Sequence, residues 1–459
     1  MTPPLSGNAC GSTALLPSRR CAAPQRSLRT SDRATVSHRV RMAASKSSYS
    51  VDMSLNPRLA LVQPSKTMAL TDLARRLKEE GKDVIALAAG EPDFDTPEAI
   101  SAAGIAAIKE GYTRYTPNAG TTELLLAIAE KLEQENGISY DPMTEIVVSN
   151  GAKQSVWQGV FATVAEGDEV IIPAPYWVSY PEMARLSGAK PVIVDTTAEE
   201  DYLLTPEKLR AVLTPQSRLL ILCTPSNPSG MVYTRAQLEA LADVIREHPR
   251  LLVLSDEIYE YIVYEPAEHH SFASLPGMWE RTLTVNGFSK AYAMTGWRLG
   301  YIAAPRPFAR ACAIIQSQST SGASSVAQRA AMAAFQFGPR GGEEVAAMRD
   351  AFRKRRDYVV SRLQAIPGVN LPVPQGAFYA LPDLSAFFGP GCTADGFGAV
   401  PDCDALCRYI LQDSLLALVP GDAFGSNSTV RISYAASLGM IEKAMDRLEA
   451  ALAKIQRPQ

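Results

Sequence analysis

A succession of short apolar runs between residues 145 and 305 limits most strongly how this chain can fold. Helical or loop stretches separate the runs, which are EIVVS (145–149), EVIIPAP (169–175), RLLILCTP (218–225), LLVLSDE (251–257), RTLTV (281–285) and LGYIAAP (299–305). Strands become almost continuously apolar when helices cover both faces of their sheet. The pattern therefore predicts an α/β domain built around a mostly parallel sheet.

The chain on either side of these runs has a different character. Residues 71–80 place Leu73 and Leu77 at helical spacing, which predicts a helix. Residues 96–111 have a proline at the expected first helical position and end with glycine, which predicts a second helix. After about residue 330 a long charged helix is predicted over 343–365. The short strands GAFYAL and VRISYA follow it, and together they predict a smaller α+β domain.

A chain of 459 residues is too long for one compact core, which leads us to expect more than one domain. We expect residues 45–91 to form an N-terminal segment that packs against the small domain. The large domain is expected at 92–330, and the small domain at 331–459.

The first 44 residues have the composition of a transit peptide. They contain seven arginines, one acidic residue (Asp32) and many Ser, Thr, Ala and Pro residues. VRMAAS (40–45) resembles a chloroplast processing site. Removal of this segment would leave 38 basic and 47 acidic residues, a formal charge of −9 instead of −3. We therefore predict that residues 1–44 are a chloroplast transit peptide. The alternative is a disordered tail without a targeting function.

Bulk properties argue against several classes of protein. The negative charge is unfavourable for a nucleic-acid surface or a polybasic membrane surface. The chain has no uncharged apolar run near the roughly 20 residues that span a bilayer. The seven cysteines include no C-x-x-C pair, and no two of the four histidines have helical ligand spacing. We therefore expect no metal, nucleic acid or membrane among the binding partners.

Common α/β sequence motifs are missing as well. No G-x-G-x-x-G follows a predicted strand, and neither a G-x-x-x-x-G-K-[ST] phosphate loop nor a G-x-S-x-G nucleophile elbow occurs. The sheet must serve another chemistry.

Polar residues collect where the predicted strands end, which is where open α/β sheets bind ligands. NGAKQS (150–155) opens a helix whose free amides suit a phosphate. Later strand ends supply Asn227, Asp256 with Tyr259, and Ser289 with Lys290 and Arg298. Each alone has an ordinary structural role, such as a helix cap, a turn, a surface pair or a solvated lysine. Together they meet the needs of pyridoxal 5′-phosphate, namely an amine for the aldehyde, a carboxylate for the ring nitrogen and donors for the phosphate.

Several longer motifs carry a family resemblance that covers residues 52–455. They are AAGEPDFDTP (88–97), YTRYTPNAG (112–120), NGAKQS, PAPYWVSYP (173–181), SNPSG (226–230), SDEIYE (255–260), NGFSKAYAMTGWRLGY (286–301) and RISYA (431–435). The chain resembles the class I, fold-type I aminotransferases, within the prokaryotic-type aspartate aminotransferase subgroup. Its plastid members aminate prephenate as well as oxaloacetate. Ser229 replaces the threonine of the usual N-P-T-G loop and keeps the hydroxyl.

The resemblance implies roles around the cofactor ring. Lys290 would bind the cofactor aldehyde and then shuttle the proton between the substrate Cα and the cofactor C4′. Asp256 would pair with the pyridine nitrogen, Tyr259 and Asn227 would bond the ring hydroxyl, and Trp177 would stack on the ring.

The resemblance also implies how the phosphate and the substrate are held. The phosphate would be bound by the side chains of Ser289 and Arg298 and by the backbone amides of Gly151, Ala152 and Lys153. Tyr115 would reach the phosphate bound by the partner subunit of a homodimer. Arg431 would clamp the substrate α-carboxylate with two parallel hydrogen bonds. The full set expected at the substrate is Gly90, Thr67, Lys153, Trp177, Asn227 and Arg431.

Substrate choice is the open point. A dicarboxylate substrate needs a second cation, which Lys153 with Thr67 can supply, although Lys153 also reads as an ordinary helix-start lysine. The expected reactions exchange amino groups between aspartate or glutamate and keto acids, prephenate included. A broad-specificity aminotransferase and a C–S lyase of the same fold are the alternatives. A fused DNA-binding regulator is disfavoured, because the chain is acidic and has no second module.

Overall fold

The computed structural model describes residues 52–62 and 66–458. The helices of this part are α1 (Lys66–Glu79), α2 (Glu98–Lys109), α3 (Thr122–Asn136), α4 (Ala152–Thr163), α5 (Ser179–Leu186), α6 (Pro206–Val212), α7 (Arg235–Arg246), α8 (Arg306–Ser317), α9 (Ser325–Ala331), α10 (Gly342–Gln364), α11 (Cys403–Ser414) and α12 (Leu438–Ala453). The strands are β1 (Ile85–Ala86), β2 (Ile146–Ser149), β3 (Glu169–Ala174), β4 (Lys190–Asp195), β5 (Ser217–Cys223), β6 (Leu252–Asp256), β7 (Thr282–Gly287), β8 (Gly300–Ala303), β9 (Tyr379–Ala380), β10 (Thr393–Ala394), β11 (Gly398–Ala399), β12 (Leu416–Ala417), β13 (Val419–Pro420), β14 (Val430–Ser433) and β15 (Ile455–Gln456).

Seven of these strands form one sheet in the order β2-β8-β7-β6-β5-β3-β4. Strands β3 to β7 run parallel, whereas β8 is antiparallel to both β2 and β7. All six apolar runs are strands of this sheet, so the prediction of a mostly parallel α/β sheet is confirmed.

The apolar runs in the sequence did not predict one strand of the sheet. Strand β4, with the sequence KPVIVD, lies at the sheet edge and pairs only with β3. An edge strand is covered less completely than a central one, and Lys190 and Ile193 of β4 are exposed. The continuous apolar pattern of the central strands is therefore absent from β4.

Helices cover both faces of the sheet. On one face, Val156 and Val160 of α4 pack with Leu254 of β6. On the other face, Leu241 of α7 packs with Val253. Gly159 lets α4 approach the sheet closely, because a Cβ at this position would lie only 2.9 Å from the Leu254 side chain. Alternate residues of β6 thus belong to two cores, which leaves the carboxyl end of the strand as its polar, ligand-facing part.

The C-terminal part combines the long helix α10 with α11, α12 and short strand pairs. The predicted strand VRISYA contains β14, whereas only two residues of GAFYAL form a strand. Parallel pairing of β1 with β12 joins the segment before residue 91 to the C-terminal part. Leu55–Gln459 form one compact unit. Boundaries near residues 92 and 331 stay a prediction.

The predicted helices are present with small shifts at their ends. Residues 71–79 of the predicted helix 71–80 belong to the longer helix α1, and Pro97 immediately precedes α2 instead of lying in its first turn. Helix α10 matches the predicted charged helix within one residue at each end. In the described part of the chain, no helix has the length and apolar character needed to cross a membrane.

Candidate active site

A cavity of about 410 Å³ opens at the carboxyl ends of the parallel strands. It gathers most of the predicted site residues, namely Gly90, Ala152, Lys153, Trp177, Asn227, Asp256, Tyr259, Ser289, Lys290, Arg298 and Arg431. These positions lie up to 341 residues apart along the chain, so only the fold can bring them together.

Lys290 follows strand β7 and extends into this cavity. Its Nζ donates a hydrogen bond to the Gly90 carbonyl oxygen at 2.5 Å. Burial lowers the pKa of Lys290 to about 8, with the cations Arg298 and Arg431 acting in the same direction and Glu91 opposing them. The amine is therefore closer to its neutral, nucleophilic form at physiological pH than an exposed lysine would be.

Asp256 ends strand β6 at the centre of the sheet and is buried. The Tyr180 hydroxyl donates to its Oδ2 at 2.7 Å. Burial raises the pKa of Asp256 to about 6, and the Tyr180 hydrogen bond limits the rise. At neutral pH the carboxylate is consequently ionised in a buried position, where it can pair with a protonated ring nitrogen.

Two pairs of polar side chains form further contacts in the cavity. The Tyr259 and Tyr379 hydroxyls are 2.9 Å apart. The Asn227 Oδ1 accepts a hydrogen bond from Arg431 Nη1 at 3.0 Å. These contacts connect the turn after β6 and the loop after β5 to strands β9 and β14.

Arg431 is a buried cation on strand β14. Its Nη2 donates to the Ala88 carbonyl at 2.8 Å, and its guanidinium lies 4.6 Å from the Tyr379 ring centre and 4.8 Å from that of Phe424. The Nε has no hydrogen-bond partner among the described residues, and no described carboxylate pairs with the guanidinium. A buried cation without an anionic partner is a suitable receptor for a ligand carboxylate.

The first turn of α4 forms an anion cradle at one end of the cavity. Gly151 has φ 82°, and a Cβ there would lie 2.4 Å from Arg298 Nη2, so the position requires glycine. The amides of the first helical turn have no intrahelical acceptor and carry the positive end of the helix dipole. With Arg298 beside them, these donors suit a phosphate group.

Lys153 lies in the same turn but points toward Trp177, whose ring centre is 5.2 Å from the Lys153 Nζ. Burial and the neighbouring Arg298 lower the pKa of Lys153. Lys153 makes no ion pair with any described residue. Lys153 and Arg431 thus lack a carboxylate partner among the described residues, as do the two other cations of the cavity, Lys290 and Arg298.

The cavity lining does not include two of the predicted residues, Gly151 and Tyr115, and a third, Thr67, cannot be compared with it. Gly151 sits behind Arg298 and shapes the cradle without lining the cavity. The side chain of Tyr115 is 97% exposed. Thr67 belongs to α1, but its side chain falls outside the described residues.

Sequence reasoning missed eight residues that line the cavity, which are Val178, Ser179, Tyr180, Cys223, Ile258, Thr295, Tyr379 and Phe424. Tyr180 had a usable signal, because it follows Trp177 by three residues, and the two rings meet edge to face at 5.3 Å. Tyr379 and Phe424 are indistinguishable from core aromatics by sequence. Cys223 follows an apolar run, and burial raises the pKa of its thiol far above the ordinary value.

The described residues fit pyridoxal 5′-phosphate on three separate observations. They provide a buried amine of lowered pKa, an ionised buried carboxylate held by a tyrosine, and a glycine-dependent anion cradle at a helix N-terminus. A fold and site of this kind define a pyridoxal-phosphate enzyme with an α/β large domain.

Comparison with known proteins identifies the family. The model of aminotransferase classes I and II matches residues 82–448, and the chain belongs to this family. It is an aminotransferase whose cofactor is pyridoxal 5′-phosphate. This assignment favours amino transfer over the elimination chemistry considered above.

Named relatives are similar over most of the chain. A Petunia hybrida protein described as a bifunctional aspartate aminotransferase and glutamate/aspartate-prephenate aminotransferase is 60% identical over 89% of this chain and 85% of its own length. The crystal structure of a Rhizobium meliloti aspartate aminotransferase is 41% identical, with a TM-score of 0.83 over 88% of this chain and 100% of that one. A Thermus thermophilus aspartate aminotransferase solved with maleate is 40% identical, with a TM-score of 0.81 over 87% of this chain and 99% of that one.

Proposed function

We propose that this enzyme transfers amino groups between dicarboxylic amino acids and keto acids. The expected pairs are aspartate with 2-oxoglutarate, and glutamate or aspartate with prephenate to give arogenate. Four cations of the cavity form no ion pair with a described residue, and the proposed cofactor contacts use two of them, Lys290 and Arg298. The main support is that Lys153 and Arg431 are then left for the two carboxylates of such a substrate. The names of the Petunia and Thermus relatives support the same substrate class.

The proposed cofactor contacts follow the chemistry of each group. Asp256 pairs with the ring nitrogen and keeps it protonated, Tyr259 and Asn227 hold the ring hydroxyl, and Trp177 covers one ring face. Ser289, Arg298 and the amides at 151–153 bind the phosphate. Bound pyridoxal phosphate supplies a protonated ring that accepts the electron pair released when the substrate Cα loses its proton.

Lys290 carries the proposed covalent and acid–base roles. Its amine would hold the cofactor through the aldehyde, and the freed amine would act as the base that shuttles the proton between the substrate Cα and the cofactor C4′. The lowered pKa of about 8 supports this assignment, because a general base is most effective near the working pH.

The substrate contacts divide by carboxylate. Arg431 binds the α-carboxylate that every amino-acid substrate has, while Gly90 lets the substrate approach the backbone. Lys153 binds the side-chain carboxylate, and Thr67 adds a hydroxyl donor. The Lys153 ammonium is a point charge on a flexible stem, which allows it to serve carboxylates at different distances, as in aspartate and in the bulkier prephenate.

Lys153→Ala and Arg431→Ala are expected to damage different substrates. Losing one charged hydrogen bond costs roughly 1.5–3 kcal/mol, or about ten- to a hundredfold in kcat/KM. Lys153→Ala should lose this much with aspartate and prephenate but little with alanine, whereas Arg431→Ala should affect all three substrates. Steady-state kcat/KM for the three substrates measures the difference.

The exposed lysine Lys190 on β4 provides a matched control, since Lys190→Ala removes the same side chain away from the cavity. Equal losses on all three substrates in Lys153→Ala would assign this residue to the phosphate or to the fold and would contradict the dicarboxylate role.

We also propose a homodimer in which Tyr115 contacts the phosphate of the partner subunit. Its hydroxyl-bearing side chain is almost fully exposed, and three large apolar residues in the preceding part of the chain, Ile105, Ile108 and Tyr112, are exposed as well. We expect light scattering to give the mass of two chains. Mixing inactive Lys290→Ala with impaired Tyr115→Ala should restore activity, since each heterodimer regains one intact site. No recovery from a mixed dimer would contradict a shared site.

We propose that residues 1–44 are a transit peptide that directs the protein into plastids. The support is their basic, acid-poor composition, and the segment lies outside the described residues. A reporter fused to residues 1–44 should enter plastids, and the mature protein should begin near Met42 or Ala43. The same fusion with its seven arginines changed to glutamine is the control. A cytosolic reporter with the native segment would rule out this address.

A further inference from the structure

Behind the turn that carries Asp256 and Tyr259 lies a buried group of charged side chains that has no role in the proposed mechanism. Asp256 and Tyr259 line the cofactor cavity, whereas the next residue after each, Glu257 and Glu260, is buried away from it. Asp256 ends strand β6 and the chain then turns at residues 258–261. In each pair of neighbouring residues, one side chain lines the cavity and the next one does not. The rear anchor is defined here as Lys131, Glu257, Glu260 and His269.

Glu257 is held by donors from two segments. Its Oε1 accepts hydrogen bonds from Ser255 Oγ at 2.7 Å, Ser271 Oγ at 2.9 Å and the Phe272 backbone N–H at 3.2 Å. Its Oε2 lies 3.2 Å from His269 Nε2. These contacts tie the start of the turn to the segment at 269–272.

Glu260 is held from the other side by helix α3. Its Oε1 forms a very short ion pair with Lys131 Nζ, and its Oε2 accepts from Asn136 Nδ2 at 2.8 Å and lies 3.9 Å from His269 Nε2. Burial alone would raise the pKa of Glu260, but Lys131, His269 and Asn136 together lower it. The end of the turn is therefore fixed to α3 by a buried, ionised carboxylate.

The arrangement resembles a metal site in one respect, since Glu257, Glu260 and His269 offer ligand atoms within 4.8 Å of one another. The Lys131 ammonium, however, already supplies a positive charge at Glu260. Removing one partner of a buried ion pair costs several kcal/mol of stability, whereas the intact pair contributes little net stability. We therefore expect the Lys131–Glu260 pair to act mainly by fixing one geometry of the turn.

We propose that Glu257 and Glu260 are positioning residues, which with Lys131 and His269 hold the turn so that Asp256 and Tyr259 meet the cofactor ring. The inference rests on the proposed roles of Asp256 and Tyr259. Neither glutamate touches the cofactor cavity, and both act through the residue that precedes each of them. Placement matters here because a charge-assisted hydrogen bond weakens quickly when its atoms move out of line.

The test compares the double variant Lys131→Met/Glu260→Gln with Leu448→Ala. The double variant removes both charges together, so no buried charge is left unpaired. Leu448 is a fully buried residue of α12 in the hydrophobic core that also contains Tyr259, so its truncation destabilises this core while every hydrogen bond and ion pair of the rear anchor keeps its partners. The measurements are the Tm, the Kd of apo-protein for pyridoxal phosphate, and hydrogen–deuterium exchange of residues 255–261 in the apo-protein.

We expect the double variant to weaken cofactor binding at least fivefold and to speed exchange at 255–261. Leu448→Ala should lower the Tm but keep the Kd within twofold of the unchanged protein. Glu257→Gln, which keeps the size of the side chain and removes its charge, is measured in the same way if the double variant does not fold. A Tm loss with unchanged Kd and exchange would overturn the proposal, as would an equal rise in Kd for Leu448→Ala. Because cofactor binding is measured without substrate, a wrong substrate assignment would leave this result unaffected.

Discussion

Lys290→Ala is expected to lower the kcat of transamination by at least about 10⁴-fold, the upper range for a lost acid–base group. The loss is this large because one amine performs both proposed tasks, holding the aldehyde and moving the proton at Cα. The phosphate cradle and Asp256 remain, so the variant should still bind pyridoxal phosphate. Stopped-flow absorbance of a single half-reaction with aspartate measures the chemical step directly.

Chemical labelling gives an independent check of the same assignment. Borohydride reduction of the unmodified holoenzyme should attach the cofactor to the peptide that contains Lys290, as read by mass spectrometry. Lys190→Ala serves as a control for the loss of a lysine and should keep full activity. A label on another lysine, or a Lys290→Ala enzyme within tenfold of the unchanged rate, would refute the role.

Asp256→Ala is expected to lower kcat by about 10²–10³-fold, the cost of removing one pre-placed electrostatic group from an active site. Without the carboxylate the ring nitrogen loses the anion that keeps it protonated, and the ring becomes a poorer electron acceptor. Asp256→Glu keeps the charge and should lose less. Activity within tenfold of the unchanged enzyme in Asp256→Ala would contradict the proposed pairing.

The pH dependence of cofactor binding tests the same residue without catalysis. The pKa of Asp256 is raised to about 6, so its carboxylate is ionised above that pH and becomes neutral as the pH falls through it. Affinity of the apo-protein for pyridoxal phosphate should therefore fall below about pH 6. Asp256→Asn has no charge to lose and should flatten this part of the profile.

Tyr180 illustrates how the role of a residue can escape sequence reasoning even inside a recognised motif, here PAPYWVSYP (173–181). Its hydroxyl keeps Asp256 ionised by donating a hydrogen bond at 2.7 Å, yet the two residues are 76 positions apart. The only local hint is the spacing of three from Trp177. The rear anchor is a stronger case, because Lys131 and Glu260 are 129 positions apart and each looks like an ordinary surface charge in the sequence.

By itself, the sequence determined the class of fold and the chemistry at the strand ends. Burial on both faces forces central strands to be apolar, and ligand binding forces polar residues to follow them, so both leave local patterns that can be read without coordinates. Four features became known only from the tertiary structure. They are the edge strand β4, the Tyr180–Asp256 hydrogen bond, the rear anchor and the lack of a carboxylate partner for Arg431 among the described residues. These features depend on contacts between residues far apart in the sequence and on the burial of individual side chains. Neither leaves a periodic pattern along the chain.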